Sequence, residues 1–85
     1  MDAQRLLLTV AFRHIVRAPN AEAGVERVAA LARKPLSISA FHDAVAACLR
    51  DGLIRDPIRL PEGALQCHWH LELTPKGVAE ARAIA

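Results

Sequence analysis

Histidines supply the first chemistry to weigh. His68 and His70 form an H-x-H pair inside the alternating run Leu65 to Leu73. On an extended strand both imidazoles leave the same face, about 6.7 Å apart. Two imidazoles at that spacing can share a zinc ion, which wants four ligands, or three and a water. Glu72 on the same face is a possible third ligand, Cys67 points the other way, and nothing directs His14 or His42 toward the pair. The pair therefore reads as solvent-facing histidines on a sheet, and no metal is expected. His42 and Asp43 are sequence neighbours, about 100° apart on a helix, and cannot by themselves form an oriented acid–base couple. No serine lies in a nucleophile elbow, no glycine-rich phosphate loop appears, and the carboxylates are scattered. Neither catalytic residues nor a cofactor are expected, and the chain does not read as an enzyme. Cys48 and Cys67 make no C-x-x-C. As lone thiols on apolar faces they read as reduced core residues, which points to a cytoplasmic protein.

The cationic side chains are more informative. Eleven basic residues against nine acidic ones leave a net charge of +2, too little to argue for a polyanionic partner by itself. Their placement says more. Between residues 27 and 60, Arg27, Arg33, Lys34, Arg50, Arg55 and Arg59 face only Asp43, Asp51 and Asp56. Guanidinium and ammonium groups gathered on consecutive elements suit phosphate oxygens.

Those groups need elements to position them. Leu8, Phe12, Ile15 and Val16, widened by Leu7 and Ala11, recur at helical spacing and predict a helix over about 4–17 that Pro19 ends. Asn20 can cap a second helix, about 21–33, with Glu22 in its first turn and Pro35 as its stop. Ser37 can cap a third, about 37–51, whose apolar stripe is Ile38, Phe41, Val45, Cys48 and Leu49. Gly52 then fits the left-handed position that closes it. After Gly52 the period changes to two. A strand over about 53–60 is interrupted by Asp56 and Pro57, as an edge strand or bulge would be. Pro61 to Ala64 is a turn, and a strand over about 65–73 alternates apolar Leu65, Cys67, Trp69, Leu71 and Leu73 with polar neighbours. Thr74-Pro75 starts a last helix, about 75–84. The 85 residues make one domain, 1–85. The run Leu6 to Phe12 is far short of a membrane span, and with Asp2 before it and no A-x-A after it, it does not read as a signal peptide. So small a core suggests a homodimer.

Two segments carry a family likeness. Leu49-Arg50-Asp51-Gly52-Leu53-Ile54 looks like the end of a recognition helix running into a wing. Leu71-Glu72-Leu73-Thr74-Pro75-Lys76-Gly77 is similar to the exit from the wing in MarR-like and PadR-like bacterial regulators. Over nearly its whole length the chain resembles a winged helix-turn-helix domain. The fold expected is α+β, mostly α, with three helices, a two-stranded β wing and a C-terminal helix.

That resemblance implies a small sequence-specific DNA-binding protein, a transcription regulator acting as a homodimer on double-stranded DNA. With the apolar stripe of the third helix inward, Ser39, Ala40, Asp43, Ala47 and Arg50 lie farthest out, flanked by Ala46 and His42. Ser37, Ser39, His42 and Arg50 would face the major groove, Arg33 and Lys34 flanking phosphates, and Arg55 and Arg59 the wing contact. Asp43 repels phosphate, and the alanines equally suit a flat contact with another helix. The alternative is a winged-helix protein–protein interaction module without DNA binding. No effector ligand is legible.

Overall fold

The computed structural model describes residues 3–60, 62–63 and 65–84. Pro61 and Ala64 of the expected turn lie outside them. In chain order the elements are α1 (Ala3–Arg13), β1 (Val16–Ala18), α2 (Ala21–Ala32), α3 (Ile38–Arg50), β2 (Ile58–Arg59), β3 (His68–Leu71) and α4 (Pro75–Ile84). Among the described residues, four helices and one antiparallel sheet of three strands, ordered β1-β3-β2, make an α+β, mostly helical architecture.

The first departure from expectation is β1. The helix predicted to reach residue 17 stops at Arg13, and a third strand follows where the sequence suggested helix. Two local facts favour this outcome. Pro19 biases Ala18 toward extended backbone, and Val16 is β-branched. The third is tertiary: β3 supplies a ladder, pairing Val16 with Leu71, Arg17 with His70 and Ala18 with Trp69. Val16 and Ala18 go inward and Arg17 outward, while Ile15, counted above in a helical stripe, is 83% exposed.

Capping chemistry fixes α2 and α3. The Asn20 side-chain oxygen accepts from the Ala23 amide at 2.9 Å, and the Ser37 hydroxyl oxygen accepts from Ala40 at 3.1 Å. Each satisfies one amide that the helix leaves unpaired. Arg33 closes α2 in the left-handed region, with φ 56°. At the end of α3, Gly52 has φ +70°, its amide donates to Leu49, and Leu53 donates to Cys48. That is the paired-bond closure in which a left-handed residue satisfies two orphan carbonyls.

The two strands expected to form a wing are shorter than the alternation suggests. Pro57 has no amide to give a ladder, and the Ile58 amide is taken by the Asp56 carboxylate at 3.0 Å. Of the span 53–60 only Ile58–Arg59 is strand, with an isolated bridge from Ile54 to Leu73. On the other side the ladder begins at His68, so Leu65 and Cys67, expected on the apolar face, are exposed.

Trp69 is central to the core. It is buried on β3, its ring centroid 5.3 Å from that of Phe41 on α3. Its ring also lies over Gly24 of α2, where a Cβ would come within 2.6 Å of it. Gly24, which weakens α2 in isolation, is what lets the indole seat between the helices and the sheet.

The two segments behind the family likeness pack on one another. The Thr74 hydroxyl donates to the Gly52 carbonyl at 2.7 Å and accepts from the Gly77 amide at 3.0 Å, capping α4. Thr74 also donates its amide to the Leu53 carbonyl, and Lys76 Nζ donates to the Asp51 carbonyl.

Candidate nucleic-acid interface

Capping by Ser37 and burial of Phe41, Ala44 and Cys48 set how α3 is rotated. Ser39, His42, Asp43, Ala46 and Arg50 are exposed. This differs from the face drawn on the sequence. Ala40 and Ala47, expected outermost, are half-buried, whereas Ile38 and Leu49, expected inward, are 53% and 42% exposed. Phe41 and Cys48 of the expected stripe are buried and Ala44 joins them, so the inward side of α3 runs through 41, 44 and 48 and leaves Ile38 and Leu49 off it.

The eight candidate residues fall into two groups. Ser39, His42 and Arg50 share the exposed side of α3, and Arg33 and Lys34 are exposed in the turn before it. Ser37 stands at the start of the helix, with its oxygen occupied in the cap. Arg50 Nε lies 3.2 Å from an Asp51 carboxylate oxygen, and this hydrogen bond, then that from Gln4, holds Asp51 below the usual carboxylate range. Arg55 and Arg59 lie elsewhere. Ile58 is in register with Trp69, whose face of the sheet meets α3, so Arg59, in register with His68, projects from the opposite face. Arg59 Nη1 is 2.6 Å from Glu72 and its Nε donates to the Asp56 carbonyl. That contact, ahead of the added influence of Arg55, lowers the Glu72 carboxyl. Arg59, expected to make a wing contact, is therefore engaged by Glu72 and the Asp56 carbonyl.

A residue that the sequence did not offer joins Arg59. Arg17, expected at the end of a helix, sits on this outer sheet face beside His70. The available signal was Ile15-Val16 before Pro19. Burial, then the charges of Arg59 and Arg17, push His70 below its ordinary value near 6.5. The folded chain thus binds this proton less readily than the unfolded chain does. The resulting stability is full above about pH 6.5 and is lost as the pH falls through the folded-state value. We expect the urea midpoint of the wild type to fall more between pH 7.5 and 5 than that of His70→Gln; parallel pH profiles would show that His70 titrates normally.

Between α3 and β2 runs a groove of about 390 Å³, lined by Val45, Leu49, Pro57 and Ile58 with His42 at its edge. Ile58 is 63% exposed. Among the described residues no helix is long and apolar enough to cross a membrane, and no group of three or more His, Cys, Asp or Glu is placed to hold a metal ion. Comparison with protein-family models, with curated proteins and with solved structures finds no match.

Proposed function

We propose that the chain is a winged helix-turn-helix domain that binds double-stranded DNA as a homodimer in the cytoplasm, in the manner of a small bacterial transcription regulator. The observation that supports this reading is the open side of α3, where Ser39, His42 and Arg50 are exposed, preceded by exposed Arg33 and Lys34. Two helices meeting at a short turn let the second enter a major groove with its outward side chains at base edges. In this reading Arg50 and Ser39 contact bases, and Arg33, Lys34 and Arg55 contact phosphates. Arg59 supports the ribbon through Glu72. No catalytic step is assigned.

The test is salt dependence on duplex DNA. Three phosphate-contacting cations in each subunit, six in the dimer, predict a loss of about 10³-fold in affinity between about 50 and 200 mM salt. Arg33→Gly is the sharpest variant, because glycine accepts the φ of 56° that arginine occupies at a cost. It should leave the melting temperature equal or higher while flattening the salt slope by about 2 per dimer. Arg50→Ala should in addition relax sequence preference. Affinity that is the same at both salt concentrations rejects DNA as the partner. The apolar groove between α3 and β2 favours a second reading, a protein-interaction module, and Leu49→Glu with Ile58→Glu would then abolish partner binding.

A further inference from the structure

A second group of cations lies on the side of the sheet that faces away from α3. Ala18 and Ile58 are in register with Trp69, whose ring meets Phe41 of α3, whereas Arg17 is in register with His70 and Arg59 with His68. These last four therefore leave from the opposite face. Glu72 shares that face, and Arg59 neutralises it. Neither of the two ion pairs among the described residues involves Arg17 or Arg27. β1 is an edge strand, and Arg27 of α2 donates from Nη1 to the Arg17 carbonyl, which brings a second guanidinium to that edge. Arg17, Arg27 and His68 border one open hollow of about 240 Å³ with Ala18 and Pro19, and none of the described residues lining it is acidic. The positive field reaches the neighbouring imidazole: after burial, the charges of Arg59, Arg17 and His68 all lower the His70 pKa.

Shape and composition select the guest. This hollow, and the adjoining one of about 270 Å³ that shares Arg17, are smaller than the roughly 300–1,000 Å³ of small-molecule sites. Such a surface suits an extended polyanion better than an enclosed ligand. A single strand would need aromatic rings on which its bases stack, yet Trp69 and Phe41 are buried. A duplex needs only cations and hydrogen-bond donors against its phosphates. We propose that the Arg17, Arg27 and His68 edge of the sheet is a second surface that binds the phosphate backbone of double-stranded DNA without sequence preference. The contact stands whether or not α3 binds DNA. Only its consequence, that one subunit holds two duplex segments, rests on the reading above.

The experiment titrates the full chain with a duplex of about 20 base pairs, two helical turns, and follows two sets of NMR signals. The His68 ring and Arg17 Nε–H report the edge, and the Ser39 and Ala46 amides report α3. Both sets should shift in the wild type. Arg33→Gly with Arg50→Ala should weaken the α3 response and leave the edge set shifting. Adding Arg17→Gln and Arg27→Gln to that variant should shrink its loss of affinity between about 50 and 200 mM salt by about tenfold per subunit, read by fluorescence anisotropy. Arg27→Gln gives up the bond to the Arg17 carbonyl, so His68→Glu, which keeps that bond and puts a carboxylate in the hollow, is the second variant and should also weaken binding. If the edge set stays still, the proposal is overturned whatever the α3 set does; if the α3 set alone stays still, the reading of α3 falls and this contact remains. Edge variants that bind like their parent overturn it too. So does polyglutamate that shifts the edge set as strongly as the duplex, which would point to an acidic protein instead.

Discussion

Trp69→Ala is expected to lower the free energy of unfolding by about 3–5 kcal/mol, measured by urea denaturation. Trp69 is 3% exposed on the central strand, in register with Ala18 on one side and Ile58 on the other. Its ring touches Phe41 of α3 and covers Gly24 of α2. The cavity left by alanine would adjoin three elements, and none can close it without parting from another. A chain of 85 residues has a total stability of about 4–13 kcal/mol at the usual per-residue values, so the loss would take from about a quarter of it to all of it. Trp69→Phe should keep most of the stability. A loss below about 1 kcal/mol in Trp69→Ala would mean that the indole is not the centre of this core.

Gly77→Ala should cost about 3 kcal/mol, through crowding rather than a void. A Cβ at residue 77 would come within 1.9 Å of the Leu53 carbonyl oxygen, a backbone atom that no rotamer change can move aside. Alanine ordinarily improves a helix by up to about 1 kcal/mol over glycine, so the steric term must exceed that gain and set the sign. The expected result is a lower melting temperature together with loss of amide protection at Leu53 and Thr74, read by hydrogen exchange. A Gly77→Ala protein that melts at or above the wild type would show that α4 does not press on the exit of α3.

These two sites also mark how far the sequence could be read. The caps at Asn20 and Ser37, the left-handed Gly52 and the start of α4 at Thr74 are local chemistry, and each has the geometry its residue type demands. What escaped depends on partners distant in sequence. Val16 to Ala18 form a strand because residues 69–71 lie alongside, and three residues show no period of their own. Arg17 therefore changed faces unseen. Ala44, buried along with Phe41 and Cys48, is too small to stand out in a hydrophobic stripe. Arg59 had the expected parity, but parity does not disclose that Glu72 would hold it.

The Thr74 hydroxyl joins two joints of the molecule. It receives the first turn of α4 and grips the chain as it leaves α3, while Lys76 holds the Asp51 carbonyl one residue earlier. Because α4 also lies against α1, a force that pries the first and last helices apart reaches the exit of α3 through the hydroxyl and amide of Thr74 and the ammonium group of Lys76. The first and last helices thus share in holding the end of α3, which α1 also contacts directly.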